Sequence, residues 1–384
     1  MRILYLADLN GYSHDKKWIT YLASQAGVYC YVICTRNNHK RLTKENILDL
    51  QAHNIELLDS IDYFSLRRFY RTYRSLKYLT KVIKKYQIDL LHIMYIDPNG
   101  LWGVFKKRLG CPLIMTTRGS DVHVGLKNVI ARHGIINRIL FQLYKLAFSS
   151  ADAITSTSGD QLLKLQQEFA IDTTQLVVRT GATYVELTAE KSDPGYFGLN
   201  HKKYVFFPRS MRPIYNHELA IEAVGQLPAE IRSSFDFVFI NRDSEDQDYV
   251  DKIIQLMDDI PDIRWKFLST RTHTEMAALY QHSSLVVMTP LSDGSPVSAM
   301  EAMMYRTPVI MPPLKYDKDL FGEGIFLLSS WDPRELAQLI IDILSGKLAV
   351  QDKIEIAYRT VMEKGNFPVE MGKVIGLYHS LLKK

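Results

Sequence analysis

The chain has 384 residues, 47% of them hydrophobic and 23% charged, with a net charge of +5. That length predicts two domains rather than one core, and the composition excludes a disordered chain. The mild positive charge does not by itself argue for nucleic acid, and three cysteines, Cys30, Cys34 and Cys111, supply neither a disulfide framework nor a zinc spacing.

Met1 to Leu6 lead directly into a strand, and Asp8 interrupts it too early for a signal core. No run of about 18 apolar residues occurs, so no bilayer span is expected and a cytoplasmic location is. Strands are predicted over 3–7, 28–34, 55–58, 90–94, 113–117, 153–156 and 176–178, with helices over 15–26, 64–86 and 135–149. Periodicity fades over 182–203, where the polar stretch 188–194 reads as a linker. The alternation then restarts. Strands are expected over 204–207, 235–240, 263–268, 285–289, 308–311 and 325–328. Helices are expected over 217–227, 249–257, 274–281, from 296, over 333–344 and over 368–382. The fold class is α/β: two doubly wound parallel sheets facing a cleft, with ligands at the carboxyl ends of strands. The domains fall over 1–185 and 200–365.

Residues 66–85 carry eight basic side chains and no acid. Leu66, Phe69, Tyr70, Tyr73, Leu76, Leu79 and Ile83 repeat at helical spacing and are expected to form a core stripe. Arg67, Arg71, Arg74, Lys77, Lys81, Lys84 and Lys85 populate the opposite surface. That surface is either an ordinary solvated face or an attraction for anionic lipid headgroups. No recognition motif for nucleic acid accompanies it.

The segment from Thr289 to Met303 reads as strand, tight loop and helix start. Asp293 and Glu301 bracket the helix N-terminus with seven residues between them. Ser295 is expected to cap the helix and Pro296 to occupy its first turn. The N–H groups of Val297, Ser298 and Ala299 then face an incoming anion, backed by the helix dipole. Two acids beside a phosphate cradle suit a ligand with a diphosphate and many hydroxyls, such as a nucleotide sugar. Plainer readings stand beside these: a solvated helix glutamate, against which Met300, Ala302 and Met303 argue, and a turn aspartate in Ser-Asp-Gly. His92, His123 and His217 are not at metal spacing; His92 reads as a core histidine.

Asp293-x7-Glu301 in its Ser-Asp-Gly-Ser-Pro-Val-Ser-Ala-Met-Glu-Ala-Met context resembles the E-x7-E region of glycosyltransferase family 4, the retaining GT-B enzymes. Tyr305-Arg-Thr-Pro-Val-Ile310, Glu275-Met-Ala-Ala-Leu-Tyr280, Thr116-Thr-Arg-Gly-Ser-Asp-Val122 and Phe207-Pro-Arg209 followed by Ala220-Ile-Glu-Ala223 are similar to further family motifs, in the family's order. The resemblance implies an acceptor-side N-terminal domain, a C-terminal domain binding a nucleotide sugar (UDP by family habit), no metal ion, and a last helix (366–384) crossing back to the N-terminal domain. It implies that Glu301 accepts from ribose hydroxyls and that Asp293 holds the sugar. Arg209 would neutralise the leaving diphosphate, and Gly294 and Ser295 would let the backbone approach phosphate. Gly11, after the first strand, and the loop of Arg118, Gly119 and Asp121 complete the candidate site. Asp121 is expected to pin its loop.

Three positions depart from the family pattern. Asp293 stands for the usual Glu. Arg118 stands for a His and could meet phosphate or an acidic sugar. Tyr215 stands where a Lys belongs, with Arg212 as a replacement charge. The reaction expected is front-face displacement, moving a hexose or amino sugar to a glycan or lipid-linked acceptor, as in polysaccharide biosynthesis. The alternatives are a GT-B nucleotide-sugar epimerase and a non-catalytic glycosyltransferase-like binding protein.

Overall fold

The computed structural model describes residues 1–9, 14–119, 121–131, 134–187, 194–199, 203–240, 246–269, 271–293 and 295–383. The chain divides into two units, Met1–Arg179 with Glu370–Lys384, and Thr180–Val369.

In the first unit short apolar runs form seven parallel strands: β1 Arg2–Leu6, β2 Tyr29–Ile33, β3 Ile55–Leu57, β4 Leu90–Met94, β5 Leu113–Thr117, β6 Ala153–Ser156 and β7 Thr174–Val177. Their order is β3-β2-β1-β4-β5-β6-β7. β4 and β5 are buried at every position, as strands covered on both faces must be. The register runs Ile3↔Leu90 and Leu91↔Leu113 across the centre of the sheet. Trp18 and Trp102 fill the layers on the sheet. Burying such side chains stabilises by roughly 2–3 kcal/mol each.

The second unit repeats the plan with β8 Tyr204–Phe207, β9 Asp236–Ile240, β10 Trp265–Leu268, β11 Leu285–Val287, β12 Val309–Met311 and β13 Phe326–Leu327. The order is β10-β9-β8-β11-β12-β13, again parallel. Phe207 and Phe239 stack at 4.2 Å on neighbouring strands. Near the unit's start, Gly181 has φ +68°, and a Cβ there would lie 2.8 Å from the Phe367 Cα. Only glycine fits that combination of conformation and close approach.

The last helix, Phe367–Leu382, leaves the second unit and ends in the first. There the Tyr378 hydroxyl meets Tyr5 at 3.1 Å and His92 Nδ1 at 2.5 Å, while Thr116 Oγ1 meets His92 Nε2 at 2.5 Å. His92 is therefore a satisfied core histidine, and burial lowers its pKa to about 3. The fully buried Glu370 accepts the Arg179 N–H at 2.7 Å and pairs with Lys373. All three cysteines are buried and free.

One expectation is overturned. The basic helix spans Phe69–Lys85, and its buried face is Thr72, Ser75, Leu76, Leu79, Val82 and Ile83. Phe69, Tyr70 and Tyr73 do not join the core stripe; they are about half exposed or more. Thr72 and Ser75 take the inward positions because their hydroxyls fasten the preceding loop: the N–H groups of Ser65 and Asp62 donate to Thr72 Oγ1 and Ser75 Oγ. Among the described residues, no helix is long and apolar enough to cross a membrane.

Candidate functional site

β8 and β11 are neighbours in the second sheet, so the loops at their carboxyl ends lie side by side. Polar bonds lock them together. Thr289 Oγ1 donates to the carbonyls of Tyr215 and Asn216, and the Leu291 N–H to that of Ile214. This brings Arg209, from the first loop, onto Asp293, from the second. One guanidinium nitrogen forms a close ion pair with the carboxylate. The other terminal nitrogen lies 3.4 Å from Ser298 Oγ. The guanidinium stands over the Tyr215 ring at 4.5 Å, a cation–π contact. Its buried Nε has no hydrogen-bond partner among the described residues. An unpaired buried donor is costly, and an anion would satisfy it.

The helix that follows is Val297–Met304, and its start corrects two expectations. Pro296 is the cap residue, with no side-chain cap bond, so Ser295 does not cap the helix. Instead the Ser295 N–H donates to Asp293 at 3.2 Å. The Ala299 N–H is taken by the Pro296 carbonyl, which narrows the cradle to Val297 and Ser298. Glu301 lies one turn on, 15% exposed, with His273 Nε2 at 3.4 Å. Burial holds the Tyr280 hydroxyl well above its usual pKa, and the Glu301 charge adds to it. Tyr316 is shifted up by burial and by Asp293. His217 is buried against the Arg209 carbonyl at 3.2 Å, and burial pulls it down to about 4.

Arg212, expected as a replacement charge, makes no contact with Arg209 among the described residues. It is exposed and lines an opening of about 700 Å³ with Ile214 and Asp246. In the first unit Arg118 is no free cation: it pairs with Asp15 at 3.0 Å and lies over the Trp18 ring at 4.9 Å. Asp121 is 1% exposed and accepts the N–H groups of Ile96, Arg118, Gly119 and Val122. Its carboxylate is spent on the loop rather than offered to a ligand. Gly119 adopts φ +111°, which the loop requires of glycine. Gly11 and Gly294 lie outside the described residues.

Sequence reasoning missed His273, Tyr280 and Tyr316 as neighbours of the two acids. Tyr316 follows β12, the next strand in the sheet, and that position at a carboxyl end was the available signal. His273 opens a helix whose Thr272–Glu275 capping box was readable. Among the described residues no group of three or more His, Cys, Asp or Glu is placed to hold a metal ion.

Residues 2–158 match the family described as Glycosyl transferase 4-like, and residues 193–360 match Glycosyl transferases group 1. The chain belongs to the group 1 glycosyltransferases. A glycosyltransferase from Rickettsia africae ESF-5 shares its fold, with TM-score 0.78, 16% identity, and 100% of this chain and 99% of that one covered. HepE from Anabaena, solved in complex with UDP, gives TM-score 0.76 at 15% identity, covering 99% of each chain. Sucrose-phosphate synthase from Thermosynechococcus elongatus gives 0.70 at 14%, covering 100% of this chain and 99% of that one. No curated protein matches the sequence. The two parallel sheets of this glycosyltransferase and its returning helix are the GT-B fold. Family membership supports glycosyl transfer from a nucleotide sugar as the activity.

Proposed function

We propose that this glycosyltransferase moves a sugar from a UDP-sugar to a glycan or lipid-linked acceptor with retention of configuration and without a metal ion. The observation that carries the reading is the convergence of Arg209, Asp293 and Ser298 at the start of the Val297–Met304 helix, one turn before Glu301. Arg209 and the N–H groups of Val297 and Ser298 take the diphosphate, and Glu301 accepts from the ribose hydroxyls. Asp293 steadies the donor sugar once the phosphate has drawn Arg209 away. HepE is solved with UDP and with UDP-glucose, which supports uridine diphosphate as the first nucleotide to try.

In the reaction the acceptor oxygen forms the new bond to the anomeric carbon on the face from which the diphosphate leaves. The electron pair of the broken bond goes to the diphosphate oxygen, which accepts the acceptor's proton. The protein positions the partners and neutralises departing charge. A cytoplasmic site, peripheral at an anionic membrane through the basic helix, belongs to the same proposal. The exposure of Phe69, Tyr70 and Tyr73 beside its arginines supports it.

A thermal-shift screen of nucleotide sugars, followed by donor hydrolysis and product analysis, tests the reading. A UDP-sugar should raise the melting temperature and release free sugar slowly. Glu301→Gln should lower kcat/KM about 10–100-fold, the worth of a charged hydrogen-bond acceptor, while circular dichroism stays unchanged. Epimerised donor would replace transfer by epimerisation, and absence of nucleotide binding would leave a non-catalytic protein.

A further inference from the structure

A basic recess lies in the first unit, at the carboxyl ends of β2 and β3. The Arg36 N–H bonds to the Ile61 carbonyl at 2.8 Å, which joins the two strand exits. The recess has a volume of about 280 Å³, and its walls include Arg36, Asp62, Tyr63, Ser65, Arg68 and Arg71. Three guanidiniums meet one carboxylate there. The Arg36–Asp62 approach is long, at 3.4 Å. Among the described residues Arg71 spends only its Nε, on the Tyr70 hydroxyl. The Arg68 guanidinium has no hydrogen bond or ion pair among the described residues.

The recess is built, not accidental. Thr72 and Ser75, buried on the Phe69–Lys85 helix, clamp the loop that carries Asp62 to Ser65, and Ser65 Oγ accepts the Arg68 N–H at 3.2 Å. Polar groups on a buried helix face cost free energy unless they are paired, and here they fix the spacing of the cations. The same helix begins at the recess with no acid in its first turn, so its dipole adds positive potential. Like charges gathered this closely repel until an anion joins them.

We propose that this recess binds a phosphoryl group, a phosphate monoester or diphosphate, gripped by Arg36, Arg68 and Arg71. Arginine forks match phosphate oxygens in pairs. The phosphate could belong to a lipid headgroup or to a soluble molecule. Tyr63, in the wall of the recess, is exposed, as are Phe69, Tyr70 and Tyr73 on the helix, and they make the lipid arm of the test worthwhile. The site extends the acceptor side of the proposed function and rests on that reading only for which molecule carries the phosphate.

Pyrophosphate titrated calorimetrically into the full chain tests it. Arg68→Gln and Arg71→Gln should each weaken binding about tenfold. Asp62→Asn should strengthen it, because it removes the one negative charge that the described residues bring to the recess. Lys77→Gln with Lys81→Gln removes the same charge from elsewhere on the helix and should leave the affinity unchanged. Arg209→Gln, titrated alongside, reports the second unit's site separately, so failure of the donor reading leaves this result standing. Vesicles of phosphatidylcholine with and without phosphatidic acid form the second arm. Retention by phosphatidic acid that Arg68→Gln abolishes assigns the phosphate to a lipid; pyrophosphate binding without retention assigns it to a soluble molecule. The proposal is overturned if Arg68→Gln, Arg71→Gln and Asp62→Asn leave both arms as in the wild type. It is equally overturned if the lysine pair weakens pyrophosphate as much as the arginines do.

Discussion

Asp293 and Arg209 pair with each other, and that pairing sets what a diphosphate must displace. A carboxylate on the Arg209 guanidinium cancels much of its attraction for phosphate. Tyr215 brings a neutral ring against Arg209 and adds no charge of its own. Asp293→Asn should therefore act in opposite directions on two measurements. UDP should bind tighter, by roughly tenfold, because Arg209 is released from an ion pair that is partly shielded from water. Turnover should fall, because the carboxylate proposed to steady the donor sugar is gone. Calorimetry with UDP and steady-state kinetics with the UDP-sugar read the two effects. Weaker UDP binding together with slower turnover would mean that Asp293 serves only to position Arg209.

At the level of elements, the strands were legible nearly residue by residue. 90–94, 113–117, 153–156 and 204–207 are strands over those same residues because buried parallel strands leave unbroken apolar runs. Helices with thin apolar faces were not seen. Gln351–Lys364 buries only Ile354, Ala357 and Val361, too few to raise a periodic signal. The basic helix misled in its first turns because aromatic residues at core spacing were left exposed while hydroxyls went inward. The site was half legible. Arg209, Asp293 and Glu301 sit on motif positions, whereas His273 reaches Glu301 only through the placement of its helix. That placement is set by Thr272, whose side chain accepts the Glu275 N–H while Glu275 returns the bond. Thr272→Ala should cost about 1 kcal/mol of stability. It should also raise the donor KM more than it lowers kcat, since the fraying first turn carries His273. Urea unfolding and donor kinetics check both effects; a stability loss with unchanged KM would confine Thr272 to capping.

Across the whole molecule, each unit buries a neutral histidine, His92 on β4 and His217 at a helix start, and this ties stability to pH in one direction. His92 in the first unit is lowered to about 3 and His217 in the second to about 4, in both cases chiefly by burial. An unfolded histidine protonates near pH 6.5, so from there down to the folded values the unfolded chain binds a proton that the folded chain refuses. Stability is fully present above about pH 6.5 and falls by about 1.4 kcal/mol per pH unit for each histidine below it. His217→Gln keeps a hydrogen-bonding group near the Arg209 carbonyl and removes the titration. The variant should be less stable than the wild type at about pH 7.5, through imperfect packing, yet lose less stability than the wild type on going to about pH 5. Urea unfolding at the two pH values, followed by fluorescence, gives both slopes. Because His92 and His217 belong to different units, the wild type should lose stability in both units and the variant chiefly in the first. Equal acid sensitivity of the two chains would show that His217 takes up its proton without unfolding.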